Sequence, residues 1–426
     1  MHLLKADIYG TYKPTMFSIL INDEQILNEK NQIKEEFSSI FFHEYIHYLQ
    51  DFLTSFGLRN IASLLSEYSQ INHEIIHSPQ PSFSVPFTSK LPHVQVETEL
   101  FRLLWGTSEL GNDDRDFVVV GMDLEAFTLN PKLNHELVSI RILYTDNFEE
   151  DAFYLGAVHF LENMTDLLVR RNYLADETVI FPYKVIEKLT RSIFISGNFS
   201  DRNLILIMEA ALESHDPARY YFEFHLFCIN NNFSFDELSI NKFKATYSIS
   251  WKGHKFKFDN FYFANAITTR KGFEAIFIHD KLVKLKEWAQ SIIGNSIKVK
   301  RSKFSFVELL DYGTEPKILA RRVNRFVRAL GTPIITDKNG NTYVIPPKNS
   351  PVHDHMIYLL GIEAVIIALR ESHCTIYPYC SSKAAGQPDI TDESCKKSPW
   401  DRAKKEPLCI FGQLWIMWGF VKKKVS

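Results

Sequence analysis

The segment that most constrains the fold is the stretch 40–54, which reads IFFHEYIHYLQDFLT. It lies within a helical pattern that extends from about Ile33 to Phe56, and Gly57 is the expected C-terminal cap. Apolar residues surround this helix nearly completely, and a helix of that kind is usually buried. The polar exceptions fall on one stripe, which consists of His43, Glu44, His47, Gln50, Asp51 and Thr54. Because buried polar groups need partners, we expect this stripe to have a bound partner, and a metal ion would satisfy this set of side chains.

The stripe contains the pattern HExxH at residues 43–47. Because residues i and i+4 lie one turn apart on the same helix face, His43 and His47 can present two imidazoles to one Zn²⁺. Glu44 lies about 100° further round the helix, within reach of a zinc-bound water as general base. The alternative is the solvent-facing stripe of an amphipathic helix, but such stripes are more often built from lysine and glutamate. The pattern therefore predicts a catalytic zinc site.

A catalytic zinc needs a third protein ligand, and two glutamates compete for this role. Glu67 lies in the following predicted helix, at about residues 60–71. Glu162 lies in a later predicted helix, at about 149–170, with Asp166 one turn further along the same face. A carboxylate at that position can accept the second N–H of a ligand histidine. Since the helix around Glu162 is otherwise apolar, we favour Glu162 and keep Glu67 as the alternative ligand.

These two blocks resemble the gluzincin group of zinc metallopeptidases, which combine HExxH with a later helical glutamate. More narrowly, HEYIHYLQD followed by LGAVHFLENM is similar to poorly characterised bacterial proteins that carry HEYxHYLQ and a later glycine-alanine-glutamate helix. The resemblance is confined to these two short blocks. It implies that His43, His47 and Glu162 are zinc ligands, that Glu44 is the base, and that Asp166 supports a ligand histidine.

Four of the five cysteines lie in the C-terminal tail, with the spacing C-x5-C-x14-C-x13-C. They are Cys374, Cys380, Cys395 and Cys409. Structural zinc sites usually pair cysteines two to four residues apart, so this is not a standard zinc knuckle. Clustering in an irregular tail is nevertheless typical of a small metal-stapled lobe. The sequence leaves two alternatives, a second, structural Zn²⁺ or unconnected buried thiols.

Composition restricts the class of protein further. The chain has 426 residues, of which 45% are hydrophobic and 23% charged, as in ordinary globular proteins. Its net charge of -3 means that the chain has no excess of positive charge, which general binding to nucleic acid or to a membrane surface would need. No apolar run reaches about 18 residues, so we expect no membrane span, and the stretch 408–420 is predicted to be a buried terminal helix or strand. The N-terminus lacks signal-peptide character, which makes a cytoplasmic location the expectation.

The expected fold is α+β and predominantly helical, with a zincin-like active-site helix beside a small sheet and a helical C-terminal half that ends in a cysteine-containing tail. Strands are expected near 117–121 and 137–144, and strand-like pieces within 245–278. The expected division of the chain is a zincin-like catalytic region at 1–235, a mixed α/β region at 236–350, and a C-terminal helix with the cysteine-rich tail at 351–426.

The leading functional hypothesis is a zinc-dependent metallopeptidase that hydrolyses a peptide bond with a zinc-bound water activated by Glu44. Its partner would be a protein or peptide substrate. Candidates for stabilising the oxyanion lie in the segment 215–221, which reads HDPARYY. The alternative is a catalytically silent metal-binding protein with an interaction or regulatory role. Metal content does not separate these two hypotheses, whereas hydrolysis does.

Overall fold

The computed structural model of the chain describes residues 10–13, 17–21, 34, 38–108, 117–130, 135–145, 150–173, 180–194, 199–251, 253–310, 316–338, 342–347, 357–381 and 390–425. Within these ranges the fold is predominantly helical with small sheets, which confirms the expected α+β class. The predicted helix start near Ile33 lies outside the described residues.

The α-helices are α1 Ser38–Leu53, α2 Ser55–His77, α3 Pro92–Trp105, α4 Ala157–Tyr173, α5 Val185–Ile193, α6 Asp201–Leu212, α7 Pro217–Asn231, α8 Glu237–Thr246, α9 Phe258–Ile276, α10 Val283–Arg301, α11 Pro316–Leu330, α12 Ile357–Glu371, α13 Tyr377–Ser381, α14 Ser394–Lys397, α15 Pro399–Arg402 and α16 Ile410–Met417. The strands are β1 Gly10–Lys13, β2 Ser18–Ile21, β3 Ser82–Phe83, β4 Val118–Asn130, β5 His135–Thr145, β6 Glu150–Leu155, β7 Ile249–Trp251, β8 His254–Phe256, β9 Ile334–Thr336, β10 Thr342–Tyr343 and β11 Lys424–Val425.

Helix α1 lies in the core, as its all-round apolar pattern predicted, and it packs against α2, α4, α10 and β1. Its large apolar side chains are almost completely removed from solvent; they are Phe42, Tyr45, Ile46, Tyr48, Leu49, Phe52 and Leu53. Two of its tyrosines also bind the end of α11. Tyr48 Oη donates to the Leu330 carbonyl at 2.8 Å, and Tyr45 Oη donates to the Gly331 carbonyl at 3.1 Å. The helix is therefore anchored to a distant part of the chain.

A sharp corner joins α1 to α2, and it corrects the expected C-cap role of Gly57. Helix α1 ends at Leu53, and Gly57 lies in the first turn of α2, where its N–H donates to Thr54 Oγ1 at 3.0 Å. A Cβ on Gly57 would lie 2.4 Å from the Gln50 carbonyl oxygen and 2.5 Å from Asp51 Cα. Glycine is required here because the start of α2 touches the backbone of α1.

A four-stranded sheet of order β1-β2-β9-β10 lies beside α1. Strands β2 and β9 are parallel, with Ile19 opposite Ile335, and the other pairs are antiparallel. This sheet joins the N-terminal residues to the expected middle region, and β11 similarly pairs with β3. Strand pairing therefore joins residues on both sides of the expected boundaries at 235 and 350. The division into three regions stays a prediction.

A second sheet of order β4-β5-β6 leads directly into α4. The strands expected near 117–121 and 137–144 are present, but the helix expected from Glu149 begins only at Ala157. The residues before it form β6, where Phe153 pairs opposite Ile142 of β5. Between strand and helix, a Cβ on Gly156 would lie 2.4 Å from the Trp105 carbonyl oxygen, so this glycine permits backbone contact with the end of α3.

Of the strand-like pieces expected within 245–278, β7 and β8 are present, but the aromatic residues that follow them form helix α9 instead of a strand. This helix packs along α2, where Thr269 Oγ1 donates to the Leu58 carbonyl at 2.7 Å. Tyr262 Oη donates to the Phe52 carbonyl at 2.8 Å. These bonds lie at the end of α1 and the first turn of α2, so α9 secures the corner that orients α1.

Near the C-terminus, α16 confirms the expected buried terminal element, since Phe411, Leu414 and Trp415 are almost completely buried. The preceding helices α13, α14 and α15 contain only four or five residues each. Nowhere in the described part of the chain does a helix combine the length and the apolar character needed to cross a bilayer.

Candidate metal centre

Helices α1 and α4 bring His43, His47 and Glu162 together. The two imidazole Nε2 atoms are 3.2 Å apart, and Glu162 Oε2 lies 3.3 Å from His47 Nε2 and 3.5 Å from His43 Nε2. In a tetrahedral zinc site with bonds of about 2.1 Å, neighbouring ligand atoms lie about 3.4 Å apart. The three atoms thus have the spacing of three corners of one coordination tetrahedron.

The state of Glu162 fits a bound cation. Its Oε2 is buried and faces the Nε2 atoms of His43 and His47, with no other hydrogen-bond partner among the described residues. Burial raises the pKa of Glu162, but the imidazoles of His43 and His47 outweigh burial and hold the pKa well below its ordinary value. The ionised oxygen therefore points at two ring nitrogens, and two imidazoles with one carboxylate form a donor set that suits zinc.

Gln50 orients His47, a role that was not predicted from the sequence. Gln50 Nε2 donates to the Leu161 carbonyl at 3.1 Å and to Thr165 Oγ1 at 3.2 Å, both on α4. These bonds direct Oε1 at His47 Nδ1, 2.8 Å away. Because an amide oxygen only accepts, Nδ1 must carry a proton, which leaves the Nε2 lone pair for a metal. In the sequence, the feature that could have indicated this role is the position of Gln50 in the same polar stripe as His43 and His47.

Glu44, the expected base, lies beside the two histidines on α1 and is only 7% exposed. Burial raises the pKa of its carboxyl above the ordinary value, and His43 and His47 oppose this shift. The backbone of Tyr12 in β1 also hydrogen-bonds Glu44, and Tyr12 Oη donates to Asp51 Oδ2 at 2.8 Å. Strand β1 is therefore attached to this side of α1 at two points, which restrains the side chain of Glu44.

A tyrosine that the sequence did not single out lies next to the site. Tyr183, in the turn before α5, places its half-buried ring edge-on to His43, with ring centroids 6.2 Å apart. The phenols expected in 215–221 lie elsewhere, in the aromatic core. Tyr221 is fully buried, packs on Phe160 and shares a 2.8 Å hydrogen bond with Thr190. No local sequence pattern distinguishes Tyr183, because only the packing of α5 against α4 brings it here.

The two other carboxylates proposed from the sequence have different partners. Glu67, the alternative third ligand, lies on α2 and forms an ion pair with Arg370 of α12 at 2.5 Å. The structure thus brings Glu162, and not Glu67, to the histidines. Asp166 is almost fully buried and accepts a 2.6 Å hydrogen bond from Arg170 Nε. At His47 Nδ1 the hydrogen-bond partner is Gln50, which lies one turn from His47 on the same helix, and the support of a ligand histidine by Asp166 stays a prediction.

The four tail cysteines are free thiols, of which Cys374, Cys395 and Cys409 are buried and Cys380 is half-buried. Among the described residues, however, the histidine–glutamate group is the one set of three or more metal-binding side chains whose ligand atoms all lie within 4.8 Å of one another. No three of the tail sulfurs meet this spacing, and the second zinc stays a prediction.

Comparison with known proteins adds no assignment: no family model matches the chain, and neither curated proteins nor solved structures give a significant match.

Proposed function

We propose that this protein is a zinc-dependent peptidase in which His43, His47 and Glu162 hold the metal and Glu44 is the general base. The observation that carries the proposal is the triangle of ligand atoms with edges of 3.2, 3.3 and 3.5 Å. The buried Glu44 beside this triangle supports hydrolysis rather than metal storage, since a purely structural site has no need of a base. The choice of a peptide bond as substrate rests on the resemblance to gluzincins.

In the mechanism we propose, zinc supplies Lewis-acid chemistry when bound, polarising the scissile carbonyl and lowering the pKa of water. Glu44 takes the proton of the attacking water and later gives it to the leaving amine. The raised pKa of Glu44 makes its carboxylate a stronger proton acceptor, as a general base requires. Gln50 holds His47 in the tautomer that leaves Nε2 free, and the Tyr183 hydroxyl is the nearby donor we assign to the developing oxyanion.

The test uses the zinc-loaded protein with a panel of unfolded proteins and peptides, and cleavage is followed by mass spectrometry. Glu44→Gln should keep its zinc and lose at least about 100-fold in cleavage rate, as expected for a general base. Glu287→Gln, an exposed carboxylate paired with Lys284, is the matched control and should cleave like the unmodified chain.

Two outcomes would contradict the proposal. Cleavage that persists in Glu44→Gln would show that this residue is not the base or that a contaminant acts. Zinc binding without cleavage of any panel member would favour the silent metal-binding alternative. Loss of zinc in Glu162→Gln, with the fold intact by circular dichroism, would confirm the ligand set independently of activity.

A further inference from the structure

Positive charge is concentrated on one part of the surface, formed by the end of α10, the turn after it and α11. Six exposed side chains, which we call the basic face, lie there: Lys298, Arg301, Lys303, Arg321, Arg325 and Arg328. Against these six cations, the described part of residues 298–330 has one carboxylate, that of Glu308. The net charge of -3 for the whole chain is therefore unevenly distributed.

Three arginines of the basic face form a stripe along α11. Arg321, Arg325 and Arg328 are spaced i, i+4 and i+7, which places them on one side of the helix. The opposite side packs into the core, where Phe326 is only 1% exposed and Leu330 is fully buried. Since the sequence of α11 contains no aspartate or glutamate, no ion pair within the helix neutralises the stripe.

Contacts between α10 and α11 join the two basic segments. Asn295 of α10 donates from Nδ2 to the Ala329 carbonyl at 2.7 Å, and its Oδ1 accepts from Lys298 Nζ at 3.3 Å. Lys298 is therefore held beside the end of α11. In addition, the rings of Phe304 and Phe326 pack edge to face with centroids 4.8 Å apart, which brings the turn after α10 against α11.

The side chains of the basic face restrict what can bind to it. Among the described residues of 298–330, no large apolar side chain is exposed. Protein interfaces depend on apolar and aromatic anchors, and membrane-surface helices insert an apolar side, whereas the apolar side of α11 is already buried. Four of the six cations are arginines, whose planar guanidinium binds a phosphate through two parallel hydrogen bonds. This chemistry favours a phosphate backbone.

We propose that the basic face binds the phosphates of duplex DNA. The major groove of B-form DNA admits an α-helix, whereas that of duplex RNA is too narrow for side chains to enter. No exposed aromatic ring on which unpaired bases could stack lies in the described part of 298–330, which disfavours single strands. Arg325 also pairs with Glu308 at 3.5 Å, but both side chains are exposed, so phosphate can replace this weak pair. The proposal shares no residue with the metal centre and is independent of peptidase activity.

The experiment measures binding of the full chain to a short labelled DNA duplex of mixed sequence by fluorescence anisotropy, at salt concentrations from about 50 to about 200 mM. Six phosphate contacts should give a slope of log affinity against log salt of about -5. Arg321→Gln/Arg325→Gln/Arg328→Gln should bind at least about 10-fold more weakly, and its slope should be shallower by about three, one for each arginine.

The matched control removes the same charge elsewhere on the surface. Arg102→Gln/Arg202→Gln/Arg270→Gln replaces three exposed arginines of α3, α6 and α9, each of which pairs with a glutamate. This control should bind DNA like the unmodified chain.

Several results would overturn the proposal. They are an equal loss of binding in the two triple variants, no binding of the unmodified chain at the lowest salt, or binding of duplex RNA, single-stranded DNA or anionic phospholipid vesicles that is as tight as that of duplex DNA. If the variant of the basic face does not fold by circular dichroism, the salt dependence of the unmodified chain decides, since a slope shallower than about -2 excludes six phosphate contacts.

Discussion

Replacement of Gln50 by leucine tests whether the hydrogen bond to His47 Nδ1 controls metal affinity. The change keeps a side chain of similar size at a position that is only 1% exposed, but it removes the acceptor 2.8 Å from His47. The Nδ1–H then loses this acceptor, and His47 can shift its proton to Nε2, the nitrogen that faces Glu162. Both effects oppose metal binding.

The magnitude follows from the contacts that are lost. Partners of this kind are worth about 10- to 100-fold in metal affinity. That range corresponds to about 1.4–2.7 kcal/mol. The unpaired N–H of half-buried His47 should lower the free energy of unfolding of the metal-free chain by about 1–3 kcal/mol. We therefore expect Gln50→Leu to bind zinc about 10- to 100-fold more weakly while it keeps its helical circular dichroism.

The assay is competition for zinc against a chromogenic chelator at constant pH and salt. Thr165→Val is the matched control: it removes one bond that anchors the amide of Gln50 but leaves the acceptor of His47 in place. Its affinity should fall by less than that of Gln50→Leu. Zinc affinity in Gln50→Leu equal to that of the unmodified protein would refute the role assigned to Gln50.

The remaining predictions concern pH, the helix corner and the third ligand. Burial lowers the pKa of His47, but Glu162 outweighs burial and raises it to about 9 from 6.5, so the metal-free chain should lose stability between pH 6.5 and pH 9. Urea unfolding should show this loss, and Glu162→Gln should abolish it. Gly57→Ala should lower the free energy of unfolding by about 3 kcal/mol, because the added Cβ meets backbone at 2.4 Å. Gly294→Ala, with nothing within 4 Å of the added Cβ, should be neutral or slightly stabilising. Glu67→Gln should keep full zinc content, and loss of the metal there would contradict the assignment of Glu162.

Local sequence patterns were sufficient to predict the features that depend on helical periodicity. The burial of α1, the polar stripe on it and the buried α16 all follow from which residues repeat at helical spacing. The pairing of His43 with His47 is equally local, because one turn of a single helix fixes the distance between them. The predominantly helical α+β class follows from the same patterns.

Only tertiary packing decided the features that join distant segments. Glu67 and Glu162 are both glutamates in predicted helices, and the crossing of α1 with α4 places Glu162 at the histidines. Residues 150–155 form a strand because they pair with β5. The corner at Gly57 forms because the first turn of α2 packs against the backbone of α1. Hydrogen-bond partners and close backbone approaches depend on which elements meet in space, and helical periodicity carries no information about that.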